Sequence, residues 1–196
     1  MEKGIVFIVS GPSGTGKTTL CKKLVKRHRN MHFAVSHTTR PPRGKEKEGK
    51  AYYFVRNDVF KEIQKGGGFL ESAHVHGHYY GTSAAEVYGT INPGRDVVLD
   101  IDYQGAFQVR KRLEEAVMVF ILPPSMEVLE GRLRKRGQDD EKTIQERLKK
   151  AEEEIARAPS YDYCVINDTL ESAVDTLSAI VVAERHRADR MTGDFP

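Results

Sequence analysis

An α/β fold, with a parallel core sheet flanked by helices, is what this 196-residue chain predicts, and three observations predict it. Apolar runs at Ile5–Val9, Val97–Ile101 and Val117–Leu122 read as strands buried on both faces, and helical periodicities lie between them. A glycine-rich loop joins the first of those runs to the first helix. Two polar stretches interrupt the β–α rhythm, as a small mixed insert and a short lid would.

The loop is Gly11-Pro12-Ser13-Gly14-Thr15-Gly16-Lys17-Thr18, a complete G-x-x-x-x-G-K-[ST] motif between a strand and a helix. Its glycines let backbone N–H groups close around phosphate oxygens, and the helix N-terminus adds positive potential. Lys17 is placed to reach β- and γ-phosphates, and the Thr18 hydroxyl to hold Mg²⁺. The helix after it carries Leu20, Leu24 and Val25 on one face. From about His37 to Gly89 the chain is polar and rich in Gly and Tyr, with alternating segments at Ala51–Val55 and Phe69–Ala73 and a short helix at about Asp58 to Lys65. Gly66-Gly67-Gly68 ends that helix and reads as a flexible stop. The expected lid, about Arg136 to Arg147, is short and charged. An amphipathic helix is expected from Thr143 to Ala158, a fourth core strand at Tyr163–Ile166, and a last helix at about Glu171 to Arg187 with Ala173, Leu177, Ile180 and Val181 on its buried face. The expected single domain therefore divides into a core of about 1–36, 90–135 and 148–190, an insert of about 37–89 and a lid of about 136–147.

Composition narrows the class. A net charge of +3 suits anionic small molecules as readily as nucleic acid, but there is no long basic stripe and no interleaved Arg/aromatic segment, so no nucleic-acid partner is expected. No apolar run approaches a membrane span, and the first strand is expected within a few residues of Met1, leaving no room for a signal peptide. A cytoplasmic location and no obligate protein partner are expected. Cys21 and Cys164 are isolated and read as buried thiols. His74, His76 and His78 alternate as on one face of a surface strand, without a trusted metal-ligand spacing.

Four groups of residues carry chemistry. Asp100 and Asp102 end an apolar strand and, two apart, point the same way at its carboxyl end, where open α/β sheets bind ligands. Asp100 suits a Mg²⁺ ligand acting through water, and Asp102 either faces the acceptor or caps the next helix. Arg40 and Arg43 flank a rigid Pro-Pro turn and can fork onto one phosphate, whereas alone they would read as a solvated basic loop. Tyr52, Tyr80 and Thr82 offer hydroxyl donors, and Glu71 is either a solvated acid or a base-reading carboxylate. Arg132, Arg136 and Arg147 cluster around the lid as candidate neutralisers of phosphoryl charge.

Together these segments resemble the guanylate kinase family from Ile5 to about Val182. The matching stretches come in the family's order: GPSGTGKTT, SHTTRPPR, Gly49-Lys50-Ala51-Tyr52, FLE, YYGTS, LDID, PPSMEVLEGRLRKRG and Val165-Ile166-Asn167-Asp168. Thr18 stands where serine is commoner, His78 replaces an asparagine, Gly66–Gly68 is richer in glycine than usual, and the tail after Arg187 lies outside the pattern.

The resemblance implies a P-loop kinase with a monophosphate-binding insert and a lid, transferring the γ-phosphoryl of ATP to GMP, with dGMP as a further candidate acceptor and Mg²⁺ as cofactor. It implies ATP contacts from Gly11, Pro12, Ser13, Gly14, Thr15, Gly16, Lys17, Thr18, Thr19, Arg132 and Arg136, with Asn167 near adenine. It implies that Arg40, Arg43, Tyr52 and Tyr80 hold the GMP phosphate and that Ser36, Glu71, Thr82 and Asp102 read guanine. Lys17, Arg40, Arg132, Arg136 and Arg147 would be the catalytic cations. The alternatives are a related kinase acting on ribose 1,5-bisphosphate and a non-catalytic, protein-binding module of the same fold. Guanine's N1–H and N2–H₂ donors match one carboxylate, Glu71, and adenine offers no such pair, while Glu71 and Asp102 count against a sugar-phosphate acceptor, which has no guanine edge to read.

Overall fold

The computed structural model describes residues 3–44, 46–75, 77–137 and 140–191. The chain opens with β1 (Val6–Ser10), α1 (Lys17–Arg27) and β2 (Met31–Phe33). The insert follows as β3 (His37–Thr38), β4 (Tyr53–Phe54), α2 (Asn57–Lys65), β5 (Phe69–Val75) and β6 (His78–Ser83). The core resumes with α3 (Ala84–Ile91), β7 (Asp96–Asp100), α4 (Tyr103–Arg112), β8 (Val117–Leu122) and α5 (Met126–Arg136). It ends with α6 (Glu141–Ile155), a 3₁₀ turn at Ala158–Ser160, β9 (Tyr163–Ile166) and α7 (Leu170–Arg185).

Five strands form an all-parallel sheet in the order β2-β7-β1-β8-β9. The strand alternation explains the two-sided burial. Ile5, Phe7 and Val9 point into one core with Leu20, Leu24, Leu177 and Val181 of α1 and α7. Val6 and Ile8 point into the other with Val87, Ile91, Ala106 and Val109 of α3 and α4. A sheet covered on both faces needs continuous apolar strands, which is why the runs lack polar breaks. Each such side chain removed from water contributes about 1.5–3 kcal/mol. The edge strand β2 is missing from the expected set, because Met31-His32-Phe33 is too short and too polar to read as a core strand.

The insert is a four-stranded sheet in the order β4-β3-β6-β5, stacked on α2 through Phe60, Phe69 and Tyr79. Its β5–β6 hairpin is rooted in the main core, since Leu70 packs there among Val87, Val97 and Leu99.

Several expectations change. His74 and His78 lie on different strands of the hairpin, where His74 pairs with Tyr79 and Val75 with His78, and His76 is outside the described residues. Cys21 is buried, but Cys164 is exposed, because it lies on the open face of the edge strand β9. The glycine run is a hydrogen-bonded helix stop: the amides of Gly66, Gly67 and Gly68 bond to the carbonyls of Glu62, Gln64 and Ile63, with Gly67 left-handed at φ 69°. In the expected lid, Gln138 and Asp139 are outside the described residues, and 141–147 is already the first half of α6. The Asp140 side chain caps that helix on the amide of Thr143, so it starts earlier than its apolar pattern suggests.

Candidate active site

Tight packing behind the phosphate loop requires its first glycine. Gly11 has φ 138°, and a Cβ there would sit 2.4 Å from the carbonyl oxygen of Ile121 on β8. Gly16 caps α1 in a left-handed conformation (φ 88°), and a Cβ would lie 2.7 Å from Asn167 Nδ2. Thr15 Oγ1 closes the turn on Pro12 O at 2.9 Å. The α1 first turn carries no acid and its last turn carries Lys26 and Arg27, a distribution that leaves the loop end positive. Lys17 Nζ lies across the loop, donating to Gly11 O at 2.6 Å and Pro12 O at 3.0 Å. Thr18 Oγ1 donates to Asp100 Oδ2 at 2.5 Å, so the hydroxyl and the acid at the end of β7 share one spot beside the loop.

Three lid-side cations and one amide reach the loop's surroundings differently. Arg147 on α6 donates to Ser13 Oγ at 3.2 Å. Arg132 on α5 donates to Asn167 O at 2.9 Å and Asp168 O at 3.3 Å. Arg136 is exposed at the end of α5, one turn from Arg132. Asn167 is buried and donates to Thr15 O at 2.6 Å, so it braces the loop from just beyond the end of β9.

Across the cleft, the insert gathers the second group. Arg40 is only 5% exposed. Its guanidinium donates to Pro41 O at 2.7 Å and to Glu46 Oε1 at 2.9 Å, and lies 5.4 Å from the Tyr52 ring centroid. Burial works against its charge, but Glu46 and Tyr80 hold it firmly protonated. Glu46 Oε2 also accepts from the backbone N–H of Arg43 at 2.8 Å. One carboxylate thus orients both arginine positions. Glu46 was not among the expected site residues; its only signal was an acid six positions after Arg40, in a loop that also holds Glu48. Arg43 itself is exposed, so the two arginines do not yet converge. Tyr52 and Tyr80 meet edge to face at 5.9 Å. Burial and, next, the charge of Asp100 push the Tyr52 phenol up to about 12, keeping it a donor and placing the insert within electrostatic reach of β7.

Glu71 is buried at 4% exposure and accepts from Thr82 Oγ1 at 2.7 Å, while Thr82 Oγ1 lies 3.3 Å from Ser36 Oγ. Burial pushes the Glu71 carboxyl up to about 7; the Thr82 hydroxyl opposes that rise and the charge of Asp102 adds to it. Asp102 is a correction to the strand reading. β7 ends at Asp100, and Asp102 is the N-cap of α4, its Oδ1 accepting from Gly105 N at 2.9 Å. Its charge still bears on the Glu71 carboxyl, so the capping residue also lies within electrostatic reach of the insert. Gly105 is a second residue the sequence reading missed: a Cβ there would be 2.5 Å from Glu71 Oε2. Among the described residues no cluster of three or more His, Cys, Asp or Glu could hold a metal ion. No helix among them is long and apolar enough to cross a membrane.

A phosphate loop at the carboxyl end of a parallel sheet, faced by a mixed insert, places the chain in the class of P-loop kinases. The guanylate kinase family model matches residues 3–184. The chain is 47% identical to a guanylate kinase of Clostridium tetani, over 97% of this chain and 91% of that protein. It is 48% identical to one from Clostridium acetobutylicum, over 97% and 90%. The crystal structure of guanylate kinase from Anaplasma phagocytophilum superimposes with a TM-score of 0.83 at 34% identity, covering 98% of this chain and 92% of that one. The chain belongs to the guanylate kinase family.

Proposed function

We infer that this chain transfers the γ-phosphoryl group of ATP to GMP, giving ADP and GDP, with the loop residues on ATP and the insert residues on GMP. The observation that carries the assignment of sides is Glu71: a buried carboxylate, bonded to Thr82 and faced by Asp102, on the same insert as Arg40, Tyr52 and Tyr80. An ionised carboxylate only accepts, and guanine presents N1–H and N2–H₂ side by side. A ribose 1,5-bisphosphate acceptor has no side-by-side N–H donors to match Glu71, which would keep only the Thr82 hydroxyl, and a protein-binding module would have no use for an intact loop with Lys17 and Thr18 in place.

In this reading the GMP phosphate takes Arg40, Arg43, Tyr52 and Tyr80, displacing part of the Arg40–Glu46 pair. Ser36, Thr82, Glu71 and Asp102 face the base. No general base is required, because a phosphate monoester has its second pKa near about 6 and is already an anionic nucleophile. The barrier is charge repulsion and alignment, so Lys17, Arg40, Arg132, Arg136 and Arg147 act by neutralising and orienting phosphate oxygens. Lys17 leaves Gly11 O and Pro12 O for the incoming phosphates. Closure of the lid and insert excludes water from the transfer.

A kinase of this family needs a divalent metal, and we propose Mg²⁺. The Thr18 hydroxyl and the Asp100 carboxylate, hydrogen-bonded to each other at 2.5 Å beside the loop, are hard oxygen donors that fit such an ion and would hold it. When bound with ATP it would screen the β- and γ-phosphate charges. Transfer of label from γ-labelled ATP tests the reaction: the label is expected at the β-phosphate of GDP. Label appearing as inorganic phosphate, with GMP unconverted, would overturn it.

A further inference from the structure

β5 is the outer strand of the insert sheet, so one row of its backbone groups has no strand partner. Helix α4 of the core covers that edge in an unusual way. The side-chain amide of Gln108 acts as a substitute strand: Ser72 N donates to Gln108 Oε1 at 3.1 Å, and Gln108 Nε2 donates to Ser72 O at 2.9 Å. One turn further on, Arg112 Nη1 donates to Phe69 O at 2.9 Å. Between those attachments the β5–β6 register shifts: Phe69 pairs with Ser83, but Glu71 pairs with Thr82. That irregularity sets Glu71 against the hydroxyl of Thr82, where their hydrogen bond forms.

The third contact lies on the same stripe. Gly105, Gln108 and Arg112 are at i, i+3 and i+7 of α4, hence on one helical face. Gly105 approaches Glu71 Oε2 so closely that any side chain there would displace it. Asp102, the N-cap of the same helix, adds its charge. One rigid element of the core thus touches β5 on both sides of Glu71 and at its carboxylate. A bulge leaves the ladder locally disrupted, so the backbone around Glu71 is held there by fewer strand hydrogen bonds and depends more on what α4 supplies.

We propose that Gln108 and Arg112 are positioning residues for guanine recognition, pinning the β5 bulge from α4 so that the Glu71 carboxylate presents its acceptors to the N1–H and N2–H₂ edge. This rests on Glu71 as the guanine reader. Neither residue touches the nucleotide; each holds the backbone that aims the carboxylate. A loosened bulge costs most where two donors must be met at once. Discrimination between GMP and inosine monophosphate, which keeps N1–H and lacks the 2-amino group, is therefore the sensitive readout.

The test is steady-state kinetics of the full chain with GMP and with inosine monophosphate, for Gln108→Ala, Arg112→Ala, the double variant, Arg112→Lys and, as a control, Glu71→Gln. Both side chains are exposed, and melting temperatures report whether each variant stays folded. In the double variant the GMP-over-inosine-monophosphate ratio of kcat/KM is expected to fall about tenfold, each lost tie contributing on the order of a few-fold. KM for ATP should stay within about twofold, and Arg112→Lys, which keeps a donor for Phe69 O, should retain most of the ratio. An unchanged ratio in the double variant, or a uniform loss on both nucleotides, would overturn the proposal if Glu71→Gln still abolishes the preference. If Glu71→Gln leaves the preference intact, the guanine assignment fails and takes the proposal with it.

Discussion

Replacing Glu71 with glutamine should make the ligand-free protein more stable at alkaline pH while removing its preference for GMP. Burial raises this carboxyl from its ordinary 4.5 to about 7 in the folded chain. The unfolded chain loses the proton near 4.5, so between those values the folded state binds more protons. Its contribution favours folding below 4.5, weakens as pH rises through 7, and is gone above it. At about 1.36 kcal/mol per unit the whole effect is about 3 kcal/mol, of which about 2.5 kcal/mol falls between pH 5 and 8.5. Glutamine has no such proton. The stability difference, Glu71→Gln minus parent, should therefore grow by about 2.5 kcal/mol over that range, whatever constant offset the amide brings. Urea unfolding at both pH values measures it. GMP reverses the sign, because the donors of guanine require the carboxylate. Binding at pH 6.5 should release about three-quarters of a proton from Glu71, seen by calorimetry in buffers of different ionisation enthalpy. The same substitution should lower kcat/KM for GMP by about 10²–10³-fold, since an amide NH₂ would face guanine donors. Parallel pH–stability curves for the two proteins would refute the buried, titrating Glu71. An unchanged kcat/KM would refute its role.

Lys17→Ala should lower kcat by at least about 10³-fold with an unchanged melting temperature, and a near-normal kcat would contradict the loop assignment. Arg40→Met should raise KM for GMP by about 10²-fold and leave KM for ATP within about twofold, as initial-rate kinetics would show. Chelation of divalent ions should stop turnover and Mg²⁺ restore it, and Thr18→Ala should raise the Mg²⁺ concentration required, read from rate against free Mg²⁺. Asp96 is buried, accepts from Ile5 N at 2.9 Å and Arg185 Nε at 2.6 Å, and lies far along β7 from Asp100. Asp96→Ala should cost about 3–5 kcal/mol in urea unfolding, leaving Arg185 without its carboxylate, while kcat and both KM values hold.

Elements with strong one-dimensional patterns were legible before the structure. β1, β7 and β8 are continuous apolar runs because both sheet faces are covered, and α7 shows its buried stripe of Ala173, Leu177, Ile180 and Val181. The phosphate loop was legible because its geometry demands particular residue types at fixed spacing. What stayed hidden depends on tertiary neighbours. β2 is a three-residue edge strand defined by its register on β7, and nothing in Met31-His32-Phe33 announces it. For Asp102 the sequence left two readings, acceptor-facing or helix cap, and only the structure shows that it is the N-cap of α4. Cys164 looks apolar in context but faces outward at the edge of the sheet. Glu46 and Gly105 matter only through what lies beside them, Arg40 in one case and Glu71 in the other.

Phosphoryl transfer to the guanine nucleotide is tested most directly by coupled ADP formation over a panel of acceptors: GMP, dGMP, AMP, CMP, UMP, inosine monophosphate and ribose 1,5-bisphosphate. Fast ADP release with GMP, matched mole for mole by GDP and far slower with AMP and the sugar bisphosphate, is the predicted result. Equal rates with GMP and AMP, or faster turnover of ribose 1,5-bisphosphate, would contradict it.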